Sequence, residues 1–185
     1  MEEEFHEVDD EEEILMPQVE DVGEGETEVA HVNGIIAQKR SLILPMILYA
    51  DRPYQTWVKV LIDTGCEVDL IHRGLIHKRH FRPATKRVRL VTANKTLLGG
   101  GIYTVDLDLG CKGVRMHDGN LNLLEFPTTL YEADINIDII LSFKCCRYYN
   151  IDITCGLYGL QFEYYDYQYF IQGMEEPEPN DELNH

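Results

Sequence analysis

Between residues 41 and 109 the chain runs in short apolar stretches separated by turn-forming residues. Ser41-Leu42-Ile43-Leu44 and Met46-Ile47-Leu48-Tyr49 are apolar and β-prone, and Pro45 between them predicts an edge position or a bulge, because proline has no N–H for a ladder. Trp57-Val58-Lys59-Val60-Leu61-Ile62 alternates at first and then becomes continuously apolar, as a strand does when its end is buried on both faces. Val88-Arg89-Leu90-Val91-Thr92 and residues 103–109 keep the period of two expected of half-buried strands. Residues 135–141 are another buried candidate, and residues 157–170 hold Leu160, Phe162, Tyr164, Tyr165, Tyr167, Tyr169 and Phe170. Helical spacing is scarce: residues 70–76 predict a turn or two, and residues 143–149 one short helix. Many short strands with turns between them and little helix predict an all-β, barrel-like domain over residues 32–173.

Charge changes the picture only at the ends. The chain has 185 residues and a net charge of −17, long enough for one domain with a core and short for two. Fourteen acidic residues and no Lys or Arg fall within residues 1–28, and Glu175, Glu176, Glu178, Asp181 and Glu182 lie in the tail. Such blocks cannot bury enough apolar surface to offset chain entropy. Residues 1–31 and 174–185 are therefore expected to be disordered acidic arms flanking the domain. The acidic N-terminus is the opposite of a secretory signal, and the best apolar run, residues 42–50, is too short to span a bilayer. Five irregularly spaced cysteines do not form a secreted disulfide framework. These readings give an intracellular expectation, with no membrane partner and with Asn94-Lys95-Thr96 unmodified as a glycosylation acceptor.

The sharpest chemical feature is Val60-Leu61-Ile62-Asp63-Thr64-Gly65-Cys66. A carboxylate directly after three large apolar residues is costly to bury without compensation. The tripeptide alone is a weak pattern, since Asp and Gly are common where a strand ends in a turn. Its surroundings add weight. Residues 58–71 resemble the active-site strand and turn of retroviral and retrotransposon aspartic proteases. Val88-Arg89-Leu90-Val91-Thr92-Ala93-Asn94-Lys95-Thr96 resembles the first flap strand and its turn. The return strand follows, with Gly99-Gly100-Gly101 keeping it pliable. Ile137-Asp138-Ile139-Ile140-Leu141-Ser142-Phe143 resembles the second family signature. The resemblance covers roughly residues 40–170 and rests on order and spacing.

What the resemblance implies is a retropepsin-like acid protease barrel: a single lobe that dimerises, with disordered acidic termini. In such enzymes two Asp-Thr-Gly turns meet across a two-fold axis, and the paired carboxylates share a proton. By resemblance Asp63 is the acid/base, Thr64 braces the paired turns and Gly65 permits their close approach. Ala93, Asn94 and Lys95 lie at the flap that closes over an extended peptide. The implied activity is aspartic endopeptidase cleavage, in polyprotein processing, with a homodimer and a polypeptide substrate as partners and no cofactor or metal. Two residues depart from the family pattern: Cys66 stands where Ala is usual, oxidisable though small, and Ser142 where Gly is usual, which bears on packing behind the turn. They support an alternative, a domesticated, weakly active or inactive module for dimerisation or peptide binding.

Other clusters carry less. His72, His77 and His80, with Cys66 upstream, match no zinc spacing and sit among Arg73, Lys78, Arg79 and Arg82, which repel a cation. Cys145 and Cys146 are adjacent and do not form a Cys-x-x-Cys pair. The basic residues between 73 and 89 lack interleaved aromatics apart from Phe81, so nucleic acid is not the expected partner. A solvated face, or a dock for the chain's own acidic arm, is the more economical reading. The Tyr-rich run at 164–170 is read as part of a dimer sheet.

Overall fold

The computed structural model describes residues 27–32, 42–51, 54–154 and 159–174. Most of the expected acidic arm (1–26) and all but Met174 of the expected tail lie outside the described residues, as do Ser41 and Leu157. The architecture is all-β with one helix, and its centre is a closed six-stranded barrel. Strands β1 (Glu28–Val32), β2 (Leu42–Asp51), β3 (Tyr54–Asp63) and β4 (Leu70–His72) come first. They are followed by β5 (Arg82–Pro83), β6 (Val88–Thr92), β7 (Leu97–Leu98), β8 (Gly100–Arg115), β9 (Leu121–Ala133) and β10 (Ile139–Ser142). Helix α1 (Phe143–Tyr148), β11 (Ile151–Thr154), β12 (Gly159–Tyr164) and β13 (Tyr167–Gln172) complete the order. The barrel is β8-β2-β3-β10-β4-β9, with β9 returning to β8; β13, β12 and β11 extend the sheet beyond β8, and β1-β6-β7 form a separate small sheet.

Alternation along β3 shows how the sequence builds two cores from one sheet. Val58, Val60 and Ile62 enter the barrel interior with Leu44, Met46, Leu109 and Leu141. On the opposite face Trp57 and Lys59 meet solvent, but Leu61 is covered. It joins Leu70 and Ile140 in a second cluster, roofed by Ala30, Val32, Val88 and Leu90. The shift from alternating to continuous hydrophobicity therefore marks where the small sheet begins to cover the barrel. Asp63, two residues after Leu61, lies on that covered face.

Several expectations change in detail. Pro45 does not divide two strands: β2 is continuous, with Pro45 opposite Lys59 of β3. β8 joins β2 only at Ile47, Leu48 and Tyr49, so the proline sits where that second neighbour has not begun. Residues 70–72 are strand, not helix, because Leu70 and Ile71 are buried on opposite faces between β10 and β9. Among the described residues the first element is β1, before residue 32, and the last contact is from Met174, whose N–H donates to Ile43 O at 2.7 Å. The Tyr-rich run is an in-chain hairpin. Tyr165 and Asp166 both have positive φ, which suits a two-residue turn between right-twisted strands. Phe162 and Tyr169 are core residues, while Tyr165 and Tyr167 are exposed.

Glu132 of β9 is a buried carboxylate, 2% exposed. Neither of its oxygens makes a well-formed hydrogen bond among the described residues, although Arg73 Nε approaches Oε2 at 3.3 Å and the Ile102 backbone amide adds a weaker contact. Burial raises its pKa and the Arg73 guanidinium pulls the other way. A carboxyl raised in the folded state supports folding most at pH below its unfolded pKa, and that support is lost as pH climbs toward the folded value. Glu132→Gln is therefore expected to stabilise the protein by about 1 kcal/mol at pH 7, since Arg73 is half exposed and stays solvated. Thermal melts at pH 4 and pH 7 check this, and the wild-type decline between them should shrink in the variant.

Candidate active site

β3 delivers Asp63 to a tight turn. Cys66 N–H donates to Asp63 O at 3.1 Å, closing it, and Gly65 N–H donates to Asp63 Oδ1 at 2.9 Å. Thr64 and Gly65 are exposed while the Asp63 side chain is 8% exposed. Its other oxygen, Oδ2, is buried without a hydrogen-bond partner among the described residues. An unpaired buried carboxylate oxygen is expensive, and here it lies beside an exposed turn.

The second signature segment lies directly against this turn. β10 runs parallel to β3 with Ser142 opposite Asp63. Asp138, just before β10, accepts from Lys59 N–H through Oδ2 at 2.8 Å, which ties the segment to the middle of β3. Ser142 is fully buried and caps α1, its Oγ accepting from Lys144 N–H at 3.2 Å. The hydroxyl where the family pattern has Gly thus satisfies one of the helix's open N–H groups. Ser142 N–H in turn donates to Asp69 Oδ1 at 2.7 Å. Asp69 was given no role from sequence, yet it locks the residues after the turn to the strand beside it. Burial raises its pKa, with the Ser142 contacts acting against that.

Cys66 is fully buried and its Sγ donates to Val68 O at 3.0 Å. Burial pushes its thiol up to about 12, so it carries almost no thiolate at neutral pH and packs as a small apolar residue. This removes the chemical weight of its oxidisability. The four cysteines among the described residues are free and buried.

The hairpin expected as a flap exists in part. β6 and β7 pair through Leu90 with Leu98 and Val91 with Leu97. Ala93, Asn94 and Lys95 form the exposed turn at its tip, with Lys95 at φ 61°. The return strand is brief, because the chain leaves at Gly99 to join the barrel as β8. The glycines there serve close packing and not pliability: a Cβ on Gly100 would lie 2.3 Å from Glu132 O, and one on Gly101 2.1 Å from Val88 O.

Between this hairpin and the Asp63 turn lies β1, all but Val32 of it within the residues expected as a disordered arm. It pairs in parallel with β6, from Glu28 opposite Val88 to Val32 opposite Thr92. Its other edge meets the turn. Val32 bridges Cys66 antiparallel, Glu67 N–H donates to His31 O at 3.0 Å, and His31 N–H donates to Glu67 Oε2 at 2.9 Å. That last bond holds the Glu67 carboxyl below its usual range. The available signal was the short, largely apolar run Val29-Ala30-His31-Val32, hidden at the end of a charge block.

The remaining candidates have local roles. His77 Nδ1 accepts from Arg79 N–H at 3.2 Å and caps a single 3-10 turn, Lys78–His80. Of the basic residues, Arg73 faces Glu132, Arg82 pairs with Asp106, and Lys86 pairs with Glu28. The last contact joins the basic stretch to the end of the acidic arm. No group of three or more His, Cys, Asp and Glu that could hold a metal occurs among the described residues. No helix among them is long and apolar enough to cross a membrane. No family model matches the chain, and no curated protein matches it significantly.

Proposed function

We propose that the chain is an aspartic endopeptidase of the retroelement type, with a retropepsin-like fold, whose site is completed when two copies bring their Asp63 turns together. The observation that carries this reading is the Asp63 carboxylate: one oxygen held by Gly65 N–H, the other buried without a partner at an exposed turn. The strand beside it, with Ser142 in register, and the hairpin ending in Ala93, Asn94 and Lys95 support it further. In the dimer the two carboxylates share a proton. The ionised member takes a proton from a water that attacks the peptide carbonyl, and the protonated member polarises that carbonyl. Thr64, exposed beside Asp63, braces the paired turns. Polyprotein processing is the setting this chemistry fits, in an intracellular compartment.

The alternative is a module that keeps the fold for dimerisation or peptide binding without turnover. The observation favouring it is β1, a strand of the chain already seated beside the turn. Incubating the purified chain over a range of concentrations with polyprotein or a peptide library at mildly acidic pH separates the two. Specific activity is expected to rise with concentration and level off as the dimer saturates. A dimer confirmed by sedimentation that cuts nothing would remove the enzyme reading and leave the module.

A further inference from the structure

We propose that residues 28–32 are a peptide ligand carried by the chain itself, seated in the groove where the proposed enzyme takes substrate. The inference rests on reading the Asp63 turn as half of a catalytic site. β1 has the two-sided backbone pairing of a strand added between two edges. One edge is β6 and the other is the Cys66–Glu67 backbone directly after Asp63-Thr64-Gly65. Its side chains divide accordingly. Ala30 is 3% exposed and Val32 is 1% exposed, and both sit in the cluster with Cys66, Val68, Leu70, Leu90 and Ile140. Val29 and His31 face outward.

The groove therefore has a definite ligand class: an extended peptide with small or β-branched aliphatic residues at alternate positions. Glu67 serves the backbone of such a peptide twice, donating its N–H to one carbonyl and accepting one N–H on its carboxylate. Lys86, paired with Glu28, adds a preference for an acidic residue at the outer end. Because β1 is tethered, it competes at a high effective concentration. A peptide from outside binds only the fraction of molecules whose own strand has left. The chain thus restrains its own groove.

The test uses the full chain and a fluorescein-labelled peptide of sequence Thr-Glu-Val-Ala-His-Val. In the double variant Ala30→Asp, Val32→Asp the chain's own strand cannot enter two apolar sites. This variant is expected to bind the labelled peptide at least about tenfold more tightly than wild type. Hydrogen exchange should show the Glu67 amide protected in wild type, exposed in the variant, and protected again when peptide is added. Equal affinity for the two chains, or a Glu67 amide indifferent to peptide, overturns the proposal. If the double variant loses protection across the barrel strands, His31→Pro replaces it, since that change deletes one N–H from an outward-facing residue. Binding needs no turnover, so the outcomes separate. Tight binding by a freed chain that cuts nothing supports the groove and removes the protease. Cleavage that is the same in freed and wild-type chains removes the in-chain ligand and leaves the protease.

Discussion

Asp63→Asn is expected to lower the proposed peptide cleavage by about 10³-fold or more while the chain keeps its fold. The change is nearly isosteric. An Asn carbonyl still accepts from Gly65 N–H, which is the one hydrogen bond the carboxylate makes in the turn. What disappears is a group able to take up and return a proton at the buried Oδ2 position. Mixing gives a sharper form of the result. If each site draws one carboxylate from each chain, every mixed dimer is dead, and activity falls with the square of the wild-type fraction. Progress curves at fixed total chain concentration and falling wild-type fraction measure this directly. A linear dilution of activity would mean that each chain carries a whole site. Undiminished cleavage by the pure variant would remove Asp63 from the chemistry.

Gly101→Ala is expected to be among the most destabilising single substitutions in the chain, at about 3 kcal/mol or more. Gly101 has φ +82°, and an added Cβ would lie 2.1 Å from Val88 O, a backbone atom that cannot swing aside. Gly119 is the internal control. Its φ is +73°, but nothing lies within 4 Å of a Cβ there, so Ala should cost only the left-handed backbone penalty of about 1 kcal/mol. Urea melts of the two variants isolate the packing part. Similar losses would show that β6 shifts to make room and that the crossing between the hairpin and the barrel is loose.

Strands were legible where a short period declares itself, but β9, thirteen residues long and a full stave of the barrel, was not. β3, β6 and the middle of β8 read correctly, since five or more alternating residues leave little ambiguity between strand and helix. β4 did not: its three residues are too few, and the apolar pairs at Leu70, Ile71, Leu75 and Ile76 mimic a helical stripe. Pro45 was legible as an edge position, and it sits where β8 has not yet begun to pair with β2; that β2 continues through it depends on where β8 begins, which no local pattern contains. At the site, Asp63-Thr64-Gly65 and the segment ending at Ser142 were visible as strings. Their register was not, nor was the bond from Ser142 to Asp69, because these depend on how distant strands align. β1 was missed for a compositional reason. Glu28 closes a run of acidic residues, and the charge of the run masked the four residues of strand that follow.

The parallel pairing of β3 with β10 also orders events in time. Asp63 acquires its neighbour only when Ser142 arrives, and the Lys59–Asp138 bond that fixes the pair spans 79 positions of sequence. Contacts so far apart are slow to form, because the intervening chain must be closed into a loop first. A nascent chain that has emerged only as far as the hairpin therefore carries the Asp-Thr-Gly string without its setting. The turn is finished late in synthesis, after the segments that line the groove have been made.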